Sequence, residues 1–598
     1  MPNPKPQTTV CVRILATSDL HCALLPWDYF TDRQLDGQGL VQLAPLIRQL
    51  REEASNTMLF DNGDLLQGNP LADTAASAGF SGDHPMLAAM QALEYDAVAL
   101  GNHEFDYGLE FLEKAIRQAD FPMLCANLTS SDGSFPFTPE VLLPRRLKDQ
   151  DGENHEIRIG VTAVLPRLVE HWNAEALDDK ILALPMVSAA QAAVSRLRRA
   201  GADLVVLLGH TGLAMNRSDL ADEHAAEALA LRSGADVVIS GHSHRKFPEP
   251  GGQGTISGVP LVNPGAFGSH IGVIDLKLIK AAARWQVAAE PGVLVPNPGQ
   301  DADPVLENLV APAHQATQDL VNEPLGRVNH PVHSHFAMIQ PDMVTALVQA
   351  AQTDWMRRQL RGSRWEDWPI LCAAAPYKVG GLGGPDNYTD LPVGWLTMRH
   401  VSDICPFPDT AAAIEVTGAD IRAWLEKSAS VFRRFAPLRT DQPLFNPDWA
   451  SYLFDVISDL SWEIDLTGLT HFQPDGGLDH GCSGRIRNLC YRGAPLQESA
   501  RFVLATTSYR VGGGGQFPVA SRARRVPLPR RALRDIVADY VRGRDPLDIC
   551  PSAHWRFSDL SGARATFLTS PTADPKECPA AEREGVIPSG FVSYRLPL

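Results

Sequence analysis

No stretch of this 598-residue sequence stays apolar for the roughly 20 residues that a membrane-spanning helix needs. The best run, residues 181–194, is broken by Ser188 and Gln191, so no membrane partner is expected. Positive charge is also scarce, with 53 Lys and Arg against 70 Asp and Glu, a net charge of -17. Nucleic-acid polymers are held chiefly by basic side chains on phosphates, so this balance argues against such a partner. A single small phosphate is still a suitable ligand if bound cations supply local positive charge. Nine cysteines form no C-x-x-C pair and are odd in number, which argues for reduced thiols and against a disulfide framework. Residues 1–9 are polar and Pro-rich and lack the charged start and apolar middle of a secretory signal, so the expected location is the cytoplasm. Internal repeats and low-complexity segments are absent too, and a monomer is expected.

What is present is a long chain of ordinary globular composition, 44% hydrophobic, too long for one core. Over residues 12–280 short β-prone runs (12–17, 58–61, 97–100, 157–164, 204–208, 237–240, 271–276) alternate with helical periodicity (39–54, 85–95, 108–119, 187–200, 222–233). That alternation predicts an α/β layered domain. The pattern dissolves into Pro, Gly and Asp around 291–304, and a helical stretch at 304–322 follows. The domains are therefore set at 1–296, a linker helix at 297–325, and a second domain of short strands, helices and turns at 326–598.

Five clusters carry the chemistry: Asp19-Leu20-His21, Gly63-Asp64, Gly101 to Asp106, Gly209-His210-Thr211 and Gly241-His242-Ser243-His244. Each follows a β-prone run, and ligands of α/β sheets gather beyond the carboxyl ends of the strands. Carboxylate, amide oxygen and imidazole nitrogen are the donors that borderline divalent cations take. Asp-x-His and His-x-His are read here as alternate residues of extended segments, which would put each pair on one side. Any one cluster alone is a common turn or a stray histidine. The five together, in this order and at strand ends, point to a site for two metals.

The order D-x-H, G-D, G-N-H-E, G-H, G-H-x-H resembles the calcineurin-like metallophosphoesterase superfamily. Segments 61–70 (DNGDLLQGNP), 101–108 (GNHEFDYG), 373–389 (AAAPYKVGGLGGPDNYT), 417–430 and 452–465 (YLFDVISDLSWEID) extend the resemblance over nearly the whole chain. They are similar to the 2′,3′-cyclic-nucleotide 2′-phosphodiesterase/3′-nucleotidases of the 5′-nucleotidase family. That resemblance implies a four-layer α/β/β/α catalytic domain joined by a helix to an α+β nucleotide-binding domain. It implies one metal on Asp19, His21 and His244, another on Asn102, His210 and His242, and Asp64 bridging them. The pair of divalent ions, Mn, Zn, Co or Fe, would activate water and offset phosphoryl charge. His103 is implied on the phosphate and leaving-group side as a general acid. Asp106, three residues on, could orient its imidazole; the alternative role for Asp106 is a helix N-cap, and both can hold.

In the second half the resemblance implies that Tyr452 and Tyr509 stack on the nucleobase from its two faces. An isolated tyrosine would be read as packed against the core; the match of both positions to the family favours stacking. Asp455 and Asn387 are candidates for hydrogen bonds to base or ribose. The Gly380–Gly384 region lacks the Gly-Lys-Ser/Thr of a phosphate loop. The expected activity is opening of 2′,3′-cyclic nucleotides to 3′-nucleotides, then release of nucleoside and phosphate. The alternatives are a 5′-nucleotidase or nucleotide-sugar hydrolase on the same scaffold, or a non-catalytic nucleotide-binding protein. Relatives of this kind usually work in the periplasm, which stands against the cytoplasmic expectation.

Overall fold

The structure, a computed structural model, describes residues 7–77, 82–130, 133, 135, 137–177, 180–213, 223–281, 284–299, 301–436, 439–446, 450–472, 484–560 and 562–598. The chain divides into two compact units, Met1–Leu320 and Val321–Leu598.

The first unit is framed by β1 (Thr9–Thr17), β2 (Thr57–Asp61), β3 (Ala97–Ala99), β4 (Asn154–Val164), β5 (Leu204–Gly209), β6 (Val237–Ser240), β7 (Val259–Pro264) and β8 (His270–Ala281). They belong to two seven-stranded sheets, whose remaining strands are short or peripheral to the site. In one, β1 pairs antiparallel with β8 and parallel with β2, and β2 pairs parallel with β3. In the other, β4, β5, β6 and β7 run parallel in that order. The inner strands read as near-continuous apolar runs because both faces are covered, as parallel sheets require. Ile14, Phe60, Ala97, Ile159, Val206, Leu208 and Ile239 fill the layer between the sheets, all fully buried. The helices Leu40–Glu52, Pro85–Ala92 and Leu109–Gln118 cover the outer face of the first sheet. Met186–Arg199 and Ala226–Arg232 cover that of the second. This is the four-layer α/β/β/α arrangement.

The helical periodicity at 222–233 yields a helix only from Ala226; residue 222 lies outside the described residues. The helix Pro304–Val321 lays Leu306 and Val310 into the first unit's core, and its His314 Nδ1 sits 2.7 Å from the Tyr29 hydroxyl.

In the second unit a four-stranded sheet runs Ala411–Thr417, Arg501–Thr507, Ile370–Ala374, Val456–Ile457. The helix Met343–Gln359 packs on it through Leu347, Ala351 and Trp355.

Candidate metal and phosphoryl-transfer site

The register of the strands brings the clusters to one edge. Thr17 pairs with Asp61 and Asp61 with Val98, so the loops after β1, β2 and β3 leave side by side. Gly209 pairs with Ser240, which does the same for the loops after β5 and β6. The edges of the two sheets are tied by Asn62, whose amide donates to the Gly209 carbonyl at 3.2 Å while its own carbonyl meets His210 Nδ1 at 2.8 Å.

The ligand pairs are not extended. Asp19, His21, Asp64, His242 and His244 have φ of 51°, 49°, 58°, 64° and 55°, so the period-two reading of Asp-x-His and His-x-His is corrected. Left-handed turns, each costing about 1–2 kcal/mol, fold these side chains inward. Glycines make room: a Cβ on Gly101 would lie 2.2 Å from Asp64 Oδ1, and one on Gly241 2.1 Å from Ser18 Oγ and 2.6 Å from Asp19 Oδ2.

Two groups of donors result. In Asp19, His21 and His244, and again in Asp64, His210 and His242, the ligand atoms lie within 4.8 Å of one another. Asn102 joins the second group, its Oδ1 2.9 Å from His242 Nδ1 and 3.2 Å from His210 Nε2. Asp64 stands between the groups, Oδ2 3.0 Å from His210 Nε2 and 4.0 Å from His21 Nε2. All seven side chains named from the sequence thus meet in one place.

The donor set suits cations. His210 must donate its Nδ1 proton to the Asn62 carbonyl, so its Nε2 lone pair faces only acceptors, Asp64 and Asn102. His21 donates Nδ1 to the Gln67 carbonyl at 2.8 Å, leaving its Nε2 2.9 Å from His244 Nε2. Lone pairs facing one another in a buried site repel unless a proton or a metal ion lies between them. Burial lowers the pKa of His21 to about 3. His210 is also desolvated, yet the carboxylates of Asp64, Asp19 and Glu104 raise its pKa to about 9. These two adjacent donor groups suggest a dinuclear metal site.

His103 sits beside the donors, its backbone N–H on Asp64 Oδ1 at 2.8 Å and its ring 5.3 Å from that of His21. Its Nδ1 meets Asp106 Oδ2 at 2.8 Å, and Asn173 donates to Asp106 Oδ1 at 2.6 Å. The N-cap of the following helix is Gly108, so Asp106 is not the cap. Burial disfavours the imidazolium, but Asp106 and Asp64 outweigh it and lift the His103 pKa to about 10. Dications beside Asp64 would draw that value back down.

Sequence spacing did not reveal Glu104. Fully buried, its carboxylate accepts the backbone N–H groups of Gly101 (2.6 Å), Asp64 (2.8 Å), Leu65 (2.7 Å) and Leu66 (3.1 Å). One side chain thereby fixes two ligand loops. Trp172, stacked on His242 with ring centroids 5.4 Å apart, and Glu223, with Oε1 3.2 Å from His242 Nε2, were also not foreseen.

In the second unit Tyr452 is 40% exposed and Tyr509 partly buried. Arg510 ties them together: Nη2 donates to the Tyr452 carbonyl at 2.8 Å, and the guanidinium lies 5.4 Å from the Tyr509 ring centroid. Asp455 is only 2% exposed, and both its oxygens are engaged, by Arg510 at 2.8 and 3.1 Å and by Trp424 Nε1 at 2.9 Å. It therefore faces the protein's interior and braces Arg510. Asn387 donates to the Gly380 carbonyl at 3.3 Å and closes the glycine loop.

Comparison with known proteins agrees with this architecture. Residues 12–246 match the calcineurin-like phosphoesterase family and residues 325–522 the 5′-nucleotidase C-terminal domain family. A 2′,3′-cyclic-nucleotide 2′-phosphodiesterase/3′-nucleotidase of Haemophilus influenzae is 33% identical over 99% of this chain and 96% of its own length. The trifunctional nucleotide phosphoesterase protein YfkN of Bacillus subtilis is 34% identical over 95% of this chain, which spans 40% of that longer protein. The crystal structure of a putative 5′-nucleotidase from Staphylococcus aureus, solved with alpha-ketoglutarate, shares the fold with a TM-score of 0.74 at 20% identity, covering 92% of this chain and 99% of that one. With a calcineurin-like phosphoesterase domain bearing the seven clustered donors and a matched C-terminal domain, the chain belongs to the 5′-nucleotidase family of metal-dependent phosphoric ester hydrolases.

Proposed function

We propose that this protein opens 2′,3′-cyclic nucleotides at the P–O2′ bond and then dephosphorylates the resulting 3′-nucleotides. The carrying observation is the convergence of Asp19, His21, Asp64, Asn102, His210, His242 and His244 on two adjacent donor groups. The near full-length likeness to a relative named for that activity supports the choice of substrate.

Asp19, His21 and His244 would hold one divalent ion, and Asn102, His210 and His242 the other, with Asp64 shared. Such ions lower the pKa of water and offset charge on phosphoryl oxygens when bound. The chain's own groups do the rest. His103, protonated and held by Asp106, donates its proton to the departing O2′ as water's oxygen bonds to phosphorus; the incoming water's proton restores it. The same residue then serves the second step, in which O3′ leaves. Tyr452 and Tyr509 supply flat, base-tolerant stacking faces, each contributing about 1–3 kcal/mol. The Mn, Zn, Co and Fe dications all suit this oxygen and nitrogen set.

Purified protein assayed side by side on 2′,3′-cAMP, 3′-AMP and 5′-AMP, before and after chelation, tests the reading. Metal-dependent turnover of the first two in excess of the third is expected. Preference for 5′-AMP would move the assignment to a 5′-nucleotidase, and no turnover of any of them with added Mn²⁺ would overturn it.

A further inference from the structure

Three of the clustered imidazoles present one nitrogen to the donor groups and anchor the other on an oxygen. His21 and His210 anchor on backbone carbonyls, of Gln67 and Asn62, each at 2.8 Å. These anchors are neutral and come with the fold. His242 differs, because its outer Nε2 meets the carboxylate of Glu223 at 3.2 Å while its Nδ1 faces Asn102 Oδ1 at 2.9 Å. The ring is also covered by Trp172, stacked with an interplanar angle of 22°. His242 is therefore held by a charged acceptor and an aromatic plate, both supplied by side chains.

An imidazole can ligate through Nδ1 only if Nδ1 carries no proton. A carboxylate at Nε2 draws the proton to that side, fixes the ring's rotation and makes Nδ1 a stronger donor. Glu223 is 29% exposed and sits just before the helix Ala226–Arg232. Its backbone carbonyl accepts the Thr211 hydroxyl, and Thr211 Oγ1 in turn accepts the Ala225 N–H at 2.8 Å. The residue after His210 thus fastens the segment that orients His242.

We propose that Glu223 is a positioning residue that sets His242 for ligation through Nδ1 and thereby selectively strengthens the metal position formed by Asp64, Asn102, His210 and His242. This rests on the dimetal reading above and adds to it an asymmetry between the two positions. Among the described residues, the donors of the Asp19–His21–His244 group meet Ser18, Gln67, Asp64, the His242 backbone N–H and one another, and none of them meets Glu223.

The test is a Mn²⁺ titration of the metal-stripped full chain by equilibrium dialysis with elemental analysis, for the parent, Glu223→Gln and Glu223→Ala. The parent should take up two ions. In Glu223→Gln one binding step should weaken about ten- to a hundred-fold while the other keeps the parental constant. Glu223→Ala should weaken the same step at least as far. Saturating Mn²⁺ should restore turnover, because Glu223 does not touch the reacting atoms. The imidazole ¹⁵N spectrum of the metal-free protein gives an independent reading, with His242 as the Nε2–H tautomer in the parent and a mixture in Glu223→Ala. Parental affinities for both ions in the variants, or an unchanged tautomer, would overturn the role of Glu223 alone. A parent that takes up fewer than two ions would overturn the dimetal reading and this inference with it.

Discussion

His103 Nδ1 lies 2.8 Å from Asp106 Oδ2, and the opposite oxygen of Asp106 is held by Asn173 at 2.6 Å. The imidazole is thus aimed from behind by a carboxylate that is itself aimed. His103→Asn should lower kcat by about 10²- to 10⁴-fold on both 2′,3′-cAMP and 3′-AMP, with two metals still bound. Asp106→Asn should cost less, because the ring keeps its place but loses its charge partner. Steady-state kinetics paired with elemental analysis checks this, and near-parental turnover by the His103 variant would remove the proton-donor role.

Gly101→Ala should disable the site with little loss of global structure. The added Cβ would meet Asp64 Oδ1 at 2.2 Å and the Asp64 backbone nitrogen at 2.6 Å. Overpacking of this kind costs about 1–3 kcal/mol, and relief requires moving the shared carboxylate. Lower metal content and lost turnover are expected with a near-parental circular dichroism spectrum. Full metal content in this variant would show that the loop can give way elsewhere.

Stability should fall on mild acidification. Both ring nitrogens of His84 are buried without a hydrogen-bond partner among the described residues, and burial lowers its pKa to about 4. The unfolded chain takes up this proton near pH 6.5, whereas the native chain resists until about pH 4. The stabilisation is therefore intact above pH 6.5 and declines as pH falls toward 4, by up to about 3 kcal/mol. Urea midpoints of the metal-free protein at pH 7, 6 and 5 should fall less steeply for His84→Leu than for the parent. Parallel slopes would exclude His84 as a source of acid sensitivity.

Tyr452→Ala and Tyr509→Ala should each raise KM for nucleotides by about 5- to 150-fold, the equivalent of 1–3 kcal/mol of stacking. Hydrolysis of p-nitrophenyl phosphate, which carries no base, should be nearly unchanged. Equal losses on both substrates would point to a packing role for these tyrosines.

Arg510→Met should be the most destabilising of these changes. It strands Asp455, 2% exposed, which otherwise accepts two bonds from that guanidinium. Removing one partner of a buried pair costs about 3–5 kcal/mol. Thermal or urea unfolding measures it, and a loss under 1 kcal/mol would mean that water reaches Asp455.

The donors themselves were legible in the chain because each sits at the carboxyl end of an apolar strand, and burial of both sheet faces leaves that pattern in plain letters. How they turn inward was not legible. Asp19, His21, His242 and His244 adopt left-handed backbone conformations that L-residues avoid, and only surrounding contacts make these affordable. Glu104 illustrates the same limit: the four amides it gathers come from its own turn and from a loop about forty residues earlier. Asp455, a candidate from the sequence for hydrogen bonds to base or ribose, is instead occupied by Arg510 and Trp424.

By itself, then, the sequence determined the layered α/β plan and the five donor-bearing clusters at strand ends, since periodicity and short spacing are local properties; the choice of seven donors and the role of His103 came from the resemblance to a known family. Tertiary structure alone decided which nitrogen of each imidazole faces inward, which carboxylates brace and which are free to ligate, and how Glu223 comes to meet His242. Those depend on atoms distant in the chain competing for one low-dielectric space, where an unpaired polar group is too costly to leave unmatched.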